Sequence, residues 1–149
     1  SHGGPDAAPV PEETQEHMFE TPDGADERGT IRHRMRPAFT ERFTNRNPHL
    51  MDQIIEWRLE QDADEPAREA QGAAVQGFDI SDRLERVRVP TLILHGTDDQ
   101  VVPVENARLL EEKLPNSRLE LIEGGSHLFF IEDDKLVSEH LIEFLDAQD

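Results

Sequence analysis

The stretch LILHGTDDQVVP, residues 92–103, places an apolar run directly before a tight acidic turn that a proline closes. The run belongs to VPTLILHG, residues 89–96, which is apolar on both faces and predicts a strand in the middle of a sheet. The turn carries two adjacent carboxylates, Asp98 and Asp99. Functional groups collect just beyond the carboxyl ends of the strands in an open parallel sheet. The turn is therefore a candidate functional site.

The chain after this turn repeats the strand pattern. We predict a helix over 104–114, a second strand in SRLELIEG at 117–124 and a closing helix over 133–147. The expected inward residues of the two helices are Val104, Ala107, Leu110, Leu114, Val137, Leu141, Phe144 and Leu145. Strand, helix, strand, helix implies two parallel strands joined by a right-handed crossover. Two strands do not make a stable sheet, so another chain or an upstream segment is expected to supply more.

The chain before residue 89 is polar and reads as helical. We predict a Gly/Pro loop over 1–11, a helix starting at Pro11, and helices over 26–36, 47–61 and 65–76. The helix over 47–61 has one apolar face, formed by Leu50, Met51, Ile54, Ile55 and Leu59. These helices cannot bury much surface among themselves, so we expect them to lie over another part of the protein.

A second polar loop, EGGSHLFF, follows the second predicted strand and contains His127. Both loops leave the same edge of the sheet, and neighbouring strands lie roughly 4.8 Å apart. We therefore expect Asp99 and His127 to come within hydrogen-bonding reach, where the carboxylate can hold the Nδ1–H of the imidazole. The alternatives are a turn-forming aspartate and a surface histidine. Asp98 is interpreted as solvent-facing and His95 as structural.

These residues resemble motifs of the α/β-hydrolase superfamily. Gly96 to Pro103 resembles its catalytic acid turn, and Gly124-Gly125-Ser126-His127 resembles its catalytic-histidine loop, with Glu132 and a closing helix following. Residues 78–96 resemble the segment that returns from the lid, and Gly3-Gly4-Pro5 resembles the turn leaving the preceding core strand. The resemblance is closest to the esterase-like branch that includes 3-oxoadipate enol-lactonases.

The resemblance implies an α/β fold, the C-terminal part of such a hydrolase. Residues 1–11 would leave the preceding core strand, 12–80 would form a helical cap, and 81–149 would form the C-terminal core. Asp99 would be the catalytic acid and His127 the catalytic base. Three neighbours are candidates for the walls of the substrate pocket, with ordinary packing as the alternative: Val102, Leu128 and Phe130.

The nucleophile of the family is not recognisable. Its G-x-S-x-G elbow is absent, and Ser126, followed directly by the histidine, is a poor candidate. We expect the chain to supply the acid and the histidine of a serine-type hydrolase of carboxylic esters or lactones. An N-terminal half or a second chain would carry the nucleophile, and this chain alone would be inactive. The alternative is a non-catalytic fragment or interaction module that needs a partner chain to complete its sheet.

The composition narrows the classes of binding partner and cellular location that are expected for this protein. Thirty-three acidic residues against fifteen basic ones give a net charge of −18, which argues against nucleic-acid binding. The acidity indicates either an ordinary soluble surface or adaptation to high salt. The chain has no cysteine, and no apolar run is long enough to span a membrane or to form a secretory leader. We expect a cytoplasmic protein that needs neither a metal nor an organic cofactor; His17, His33, His49 and His140 are interpreted as surface residues.

Overall fold

The computed structural model describes residues 3–61 and 65–148. Ser1, His2, residues 62–64 and Asp149, which belong to the predicted loop, cap and core, lie outside the described residues. The helices are α1 (Glu12–Phe19), α2 (Glu27–Met35), α3 (Glu41–Arg46), α4 (Pro48–Gln61), α5 (Glu65–Gln76), α6 (Glu105–Lys113), α7 (Phe129–Glu132) and α8 (Asp134–Asp146). The strands are β1 (Thr91–Gly96) and β2 (Ser117–Ile122). None of the helices in these ranges is long and apolar enough to cross a bilayer.

The two strands pair in parallel, as predicted, and α6 makes the crossover between them. The register runs from Thr91 opposite Ser117 to Gly96 opposite Ile122. Within the described ranges the sheet contains only these two strands. Residues 91–95 of β1 are consequently half-buried, and the expectation of a strand covered on both sides is wrong for the described residues.

The closing helix α8 lies against β1 and α7. Val137 and Phe144 are half-buried, but Leu141 and Leu145 are 44% and 62% exposed. The expectation that Leu141 and Leu145 point inward is therefore wrong. A sheet of two strands is too narrow to cover the full apolar face of the helix, so that face stays open.

The helices before residue 80 share an apolar core with the segment that follows β2. Phe39, Met51 and Ile54 form a buried cluster, and Leu128 and Ile131 pack against it. The predicted apolar face of α4 is confirmed, since Ile55 is also fully buried. The short helices α3 and α7 were not predicted; Thr40 caps α3 by accepting a hydrogen bond from the Phe43 amide. Helices α1 to α5 are here called the cap; α2, α3, α4 and the segment between α2 and α3 supply the residues that form this apolar core with Leu128 and Ile131.

Asn106 fastens the N-terminal loop to the first turn of α6. Its side chain is 1% exposed. The Ala8 amide donates to Asn106 Oδ1 at 3.0 Å, and Asn106 Nδ2 donates to the Ala8 carbonyl at 2.9 Å. One amide side chain therefore pairs both backbone groups of a residue that is 98 positions away.

We expect Asn106→Ala to lower the free energy of unfolding by about 1–3 kcal/mol, because both backbone groups of Ala8 lose their partner. Asn116→Ala is the matched control, since Asn116 is exposed and makes a single 3.2 Å bond to the Arg88 carbonyl. Its cost should stay within about 0.5 kcal/mol. Urea unfolding of the two variants measures the difference; equal losses would contradict the role given to Asn106.

Candidate active site

The turn after β1 holds the Asp99 carboxylate in one orientation. Asp99 Oδ1 accepts hydrogen bonds from the amides of Val101 and Val102, both at 2.8 Å. The Asp99 side chain is only 3% exposed, whereas the neighbouring Asp98 is exposed. The sequence of the turn therefore buries one carboxylate of the adjacent pair, with one of its oxygens bound by backbone amides.

The loop after β2 is fastened to this turn by backbone groups. The Gly124 amide donates to Thr97 Oγ1 at 2.8 Å, and the Asp98 amide donates to the Gly125 carbonyl at 2.9 Å. The approach requires glycine at position 96, because a Cβ there would lie 2.1 Å from the Gly125 carbonyl oxygen. The two loops at the carboxyl ends of β1 and β2 are thus held directly against each other.

This contact brings Asp99 and His127 together. His127 Nδ1 lies 3.0 Å from Asp99 Oδ2. An ionised carboxylate only accepts hydrogen bonds, so Nδ1 carries the proton and the neutral ring has its lone pair on Nε2. The ring is 36% exposed. The arrangement therefore presents a histidine whose Nε2 can take up a proton while Asp99 stabilises the resulting imidazolium.

The pKa of Asp99 reflects two opposing effects. Burial raises the pKa of the carboxyl group, but hydrogen bonds from His127 and from the Val102 and Val101 amides outweigh burial and hold the pKa below its ordinary value. His95 supports the same turn, because its Nε2 lies 2.9 Å from the Val102 carbonyl and 3.5 Å from Asp99 Oδ2. A carbonyl oxygen only accepts, so this nitrogen of His95 is the donor.

The lowered pKa of Asp99 predicts a loss of stability in acid. The unfolded chain takes up a proton at Asp99 first as the pH falls through the ordinary value of 3.8. The stabilisation is therefore present above that pH and is lost as the pH falls through the folded-state pKa. We expect wild type to exceed Asp99→Asn in free energy of unfolding at neutral pH, and the gap to shrink as the pH falls below 3.8. Asp98→Asn, at the exposed neighbour, should show no such pH-dependent gap; a constant gap for Asp99→Asn would contradict the assignment.

The three residues predicted to wall a pocket lie in different surroundings. Val102 is half-buried in the acid turn, Leu128 packs against the apolar cluster of the cap, and Phe130 is 48% exposed. Their role in binding substrate stays a prediction. A cleft of about 700 Å³ lies within the cap, lined in part by Arg32, Arg36 and Met51. None of the five predicted site residues lines that cleft.

Three polar residues next to the site had no predicted role in it. Ser126 is 2% exposed, and its hydroxyl lies 2.9 Å from the Ala38 carbonyl and 2.8 Å from Glu132 Oε1. Thr40 bonds to the same carboxylate through its amide and its hydroxyl. Thr40 and Glu132 are 92 positions apart, so no local pattern indicates their contact. A serine whose hydroxyl is buried and bonded to these two oxygens is poorly placed to attack a substrate.

Among the described residues, His17, Glu20 and His33 approach the spacing of a metal site, with ligand atoms within 4.8 Å of one another. They belong to the α1–α2 region of the cap rather than to the Asp99 turn. The two imidazole rings stack at 3.9 Å with a 21° interplanar angle. Rings that are nearly parallel do not aim their nitrogens at one point. His33 Nε2 lies 2.8 Å from the Glu20 carboxylate, and His17 Nε2 lies 2.9 Å from the His33 backbone carbonyl, so each imidazole already has a hydrogen-bond partner.

Comparisons with known proteins agree on one fold. The family model described as alpha/beta hydrolase fold matches residues 16–134. A putative carbamate hydrolase, RutD of Pseudomonas savastanoi pv. phaseolicola (strain 1448A / Race 6), is 41% identical over 75 residues, which cover 50% of this chain and 29% of that protein.

Two solved structures match nearly the whole chain. The esterase EaEST of Exiguobacterium antarcticum aligns with a TM-score of 0.66 at 24% identity, over 91% of this chain and 45% of the esterase. Est816, described as an N-acyl homoserine lactone degrading enzyme, aligns with a TM-score of 0.65 at 23% identity, over 90% of this chain and 51% of its own length. At these identities the likeness shows the fold. The chain thus spans about half the length of these structures or less.

Proposed function

The chain belongs to the alpha/beta hydrolase fold family, and on that premise we propose that it supplies the acid and the base of a serine-type hydrolase acting on carboxylic esters or lactones. The observation that carries the proposal is the 3.0 Å bond between His127 Nδ1 and Asp99 Oδ2. It joins two loops at the carboxyl ends of adjacent parallel strands, where active sites of open α/β sheets lie.

The proposed reaction uses a serine from outside these 149 residues. His127 Nε2 takes the proton of that serine as its oxygen attacks the substrate carbonyl carbon, and Asp99 stabilises the imidazolium. The imidazolium then protonates the departing alkoxide, which leaves an acyl-enzyme. Water attacks the acyl carbon, His127 accepts a proton from it, and the acid is released as the serine regains its proton. The cap would cover the site and select the substrate.

The substrate class rests on what the relatives' names share. One is named a putative carbamate hydrolase, one an esterase and one a lactone-degrading enzyme. All three reactions attack a carbonyl carbon that bears a heteroatom leaving group. Val102 and Phe130, near the catalytic pair in sequence, are proposed to contact the acyl part of the substrate, and Leu128 to support them from the cap side.

The uncovered apolar surfaces favour the proposal that a further part of the protein packs against this chain. The two-stranded sheet and the exposed Leu141 and Leu145 leave apolar surface that additional strands would cover. We propose that an N-terminal half or a second chain provides these strands together with the serine and the oxyanion-hole donors. The same surfaces favour the second candidate function, a non-catalytic module completed by a partner. A cytoplasmic location and adaptation to salt stay predictions from composition.

The function is tested with the chain alone and with the longer polypeptide that this chain and the proposed N-terminal half would form. We expect the longer polypeptide to hydrolyse p-nitrophenyl acetate and to react with a fluorophosphonate probe at a serine outside this chain. The chain alone should do neither, because the Ser126 hydroxyl is buried and engaged. Labelling of the chain at Ser126 would contradict the proposal. A longer polypeptide without turnover or labelling would support the non-catalytic module instead.

A further inference from the structure

The loop that carries His127 has two anchors, and only one of them belongs to the core. The core anchor is the pair of bonds that joins Gly124 and Gly125 to the acid turn. The other anchor is in the cap. The Leu128 amide donates to the Ala38 carbonyl at 2.9 Å, and the Ser126 hydroxyl lies 2.9 Å from the same oxygen. The residues on both sides of His127 are therefore tied to a single carbonyl group of the cap.

Glu132 completes this second anchor. Its Oε1 accepts from the Thr40 amide at 2.6 Å and lies 2.8 Å from the Ser126 hydroxyl, and its Oε2 accepts from the Thr40 hydroxyl at 3.0 Å. Ser126 has one hydroxyl proton, which is shared between Glu132 and the Ala38 carbonyl. Charge-assisted hydrogen bonds of this kind are about twice as strong as neutral ones. The carboxylate thus joins Thr40 of the cap to Ser126, the residue that precedes His127.

Apolar contacts also hold the residues after His127 against the cap. Leu128 and Ile131, which flank this anchor, pack against the cap cluster of Phe39, Met51 and Ile54. Ser126 is 2% exposed, so water does not readily replace its hydrogen bonds. A displacement of segment 38–40 would carry residues 126 and 128 with it, while Asp99 would stay fixed by its own backbone bonds.

We propose that Glu132, together with Thr40 and Ser126, is a positioning device through which the cap sets the orientation of the His127 ring toward Asp99. The role rests on the proposed function, in which His127 is the base. It assigns to the cap a contribution to the catalytic pair in addition to covering the substrate. Glu132 acts through the loop backbone and does not touch the reacting atoms.

The test is ¹⁵N NMR of the His127 imidazole in the longer polypeptide, at a pH where the ring is neutral. The wild type should show the Nδ1–H tautomer with a slowly exchanging Nδ1 proton, because Asp99 holds it. Glu132→Ala should shift the ring toward the Nε2–H tautomer, which free imidazole side chains favour in water, and should speed Nδ1 proton exchange at least ~10-fold. Glu132→Gln should largely restore the wild-type signal, since its amide oxygen accepts from Thr40 and Ser126 and its NH₂ group reaches the Thr40 hydroxyl.

The design separates geometry from charge. Glu132→Ala and Glu132→Gln remove the same negative charge, so a difference between them reports the hydrogen bonds. Thr40→Val is a second, neutral variant that keeps Glu132, and it should weaken the same signature if Glu132→Ala fails to fold. Glu41→Ala is the matched control, because Glu41 is a cap carboxylate that pairs with Arg36, and it should leave the signal of His127 unchanged.

Two results would overturn the inference: a wild-type tautomer in both Glu132→Ala and Thr40→Val, or identical behaviour of the alanine and glutamine variants. Absence of esterase turnover in the longer polypeptide would defeat the proposed function instead. The tautomer readings do not depend on turnover, so the two failures can be told apart.

Discussion

Replacing His127 by alanine in the longer polypeptide is expected to lower kcat for an ester substrate by about 10⁴- to 10⁶-fold, as for removal of the base from other serine-type triads. In the proposed reaction the imidazole takes the serine proton, and in the structure its Nδ1 bonds to a carboxylate that is 3% exposed. The loss should appear in kcat more than in KM, because the ring acts on the reacting serine rather than on substrate binding.

His49→Ala is the matched control for this experiment. His49 is exposed in the first turn of α4, so its removal should leave kcat within about 2-fold, as expected for a surface change away from the site. Circular dichroism of both variants should match wild type, which separates lost chemistry from lost folding. Turnover near the wild-type value in a folded His127→Ala protein would show that the base lies elsewhere.

The contact between Asp99 and His127 could be predicted because each of its signals is local. The apolar run before Gly96, the turn closed by Pro103 and the glycines before His127 each mark the end of a strand. The rule that one crossover joins parallel strands then places both loops at the same edge. No knowledge of distant contacts was needed to expect the Asp99–His127 bond.

The features that were predicted wrongly or missed share one physical reason: each depends on parts of the protein that a local sequence pattern does not describe. Periodicity shows that Leu141 and Leu145 form an apolar face, but it does not show whether anything covers that face. A two-stranded sheet leaves it exposed. The short helices α3 and α7 are too brief for a periodic signal. The contact between Thr40 and Glu132 joins parts of the chain 92 positions apart, and only the packed structure brings them together.

The second large effect is expected at Gly96, where the two site loops touch. In Gly96→Ala the new Cβ would lie 2.1 Å from the Gly125 carbonyl oxygen and 2.6 Å from that of Ser126. These are backbone atoms that cannot rotate away, so the histidine loop must shift. The shift would also break the bond between the Asp98 amide and the Gly125 carbonyl. We expect a loss of at least about 3 kcal/mol in the free energy of unfolding, at the upper end of overpacking costs.

Gly72→Ala isolates the steric cause, since it makes the same chemical change in the interior of α5 with no atom within 4 Å of the new methyl group. Alanine is a better helix former than glycine, so this control should gain up to about 1 kcal/mol. We therefore expect chemical denaturation of the two variants to show changes of opposite sign in the free energy of unfolding. A Gly96→Ala chain as stable as wild type, with its His127 Nδ1 proton still protected, would mean that β1 and β2 end further apart than the structure places them. The acid and the base would then lack the contact on which the hydrolase proposal depends.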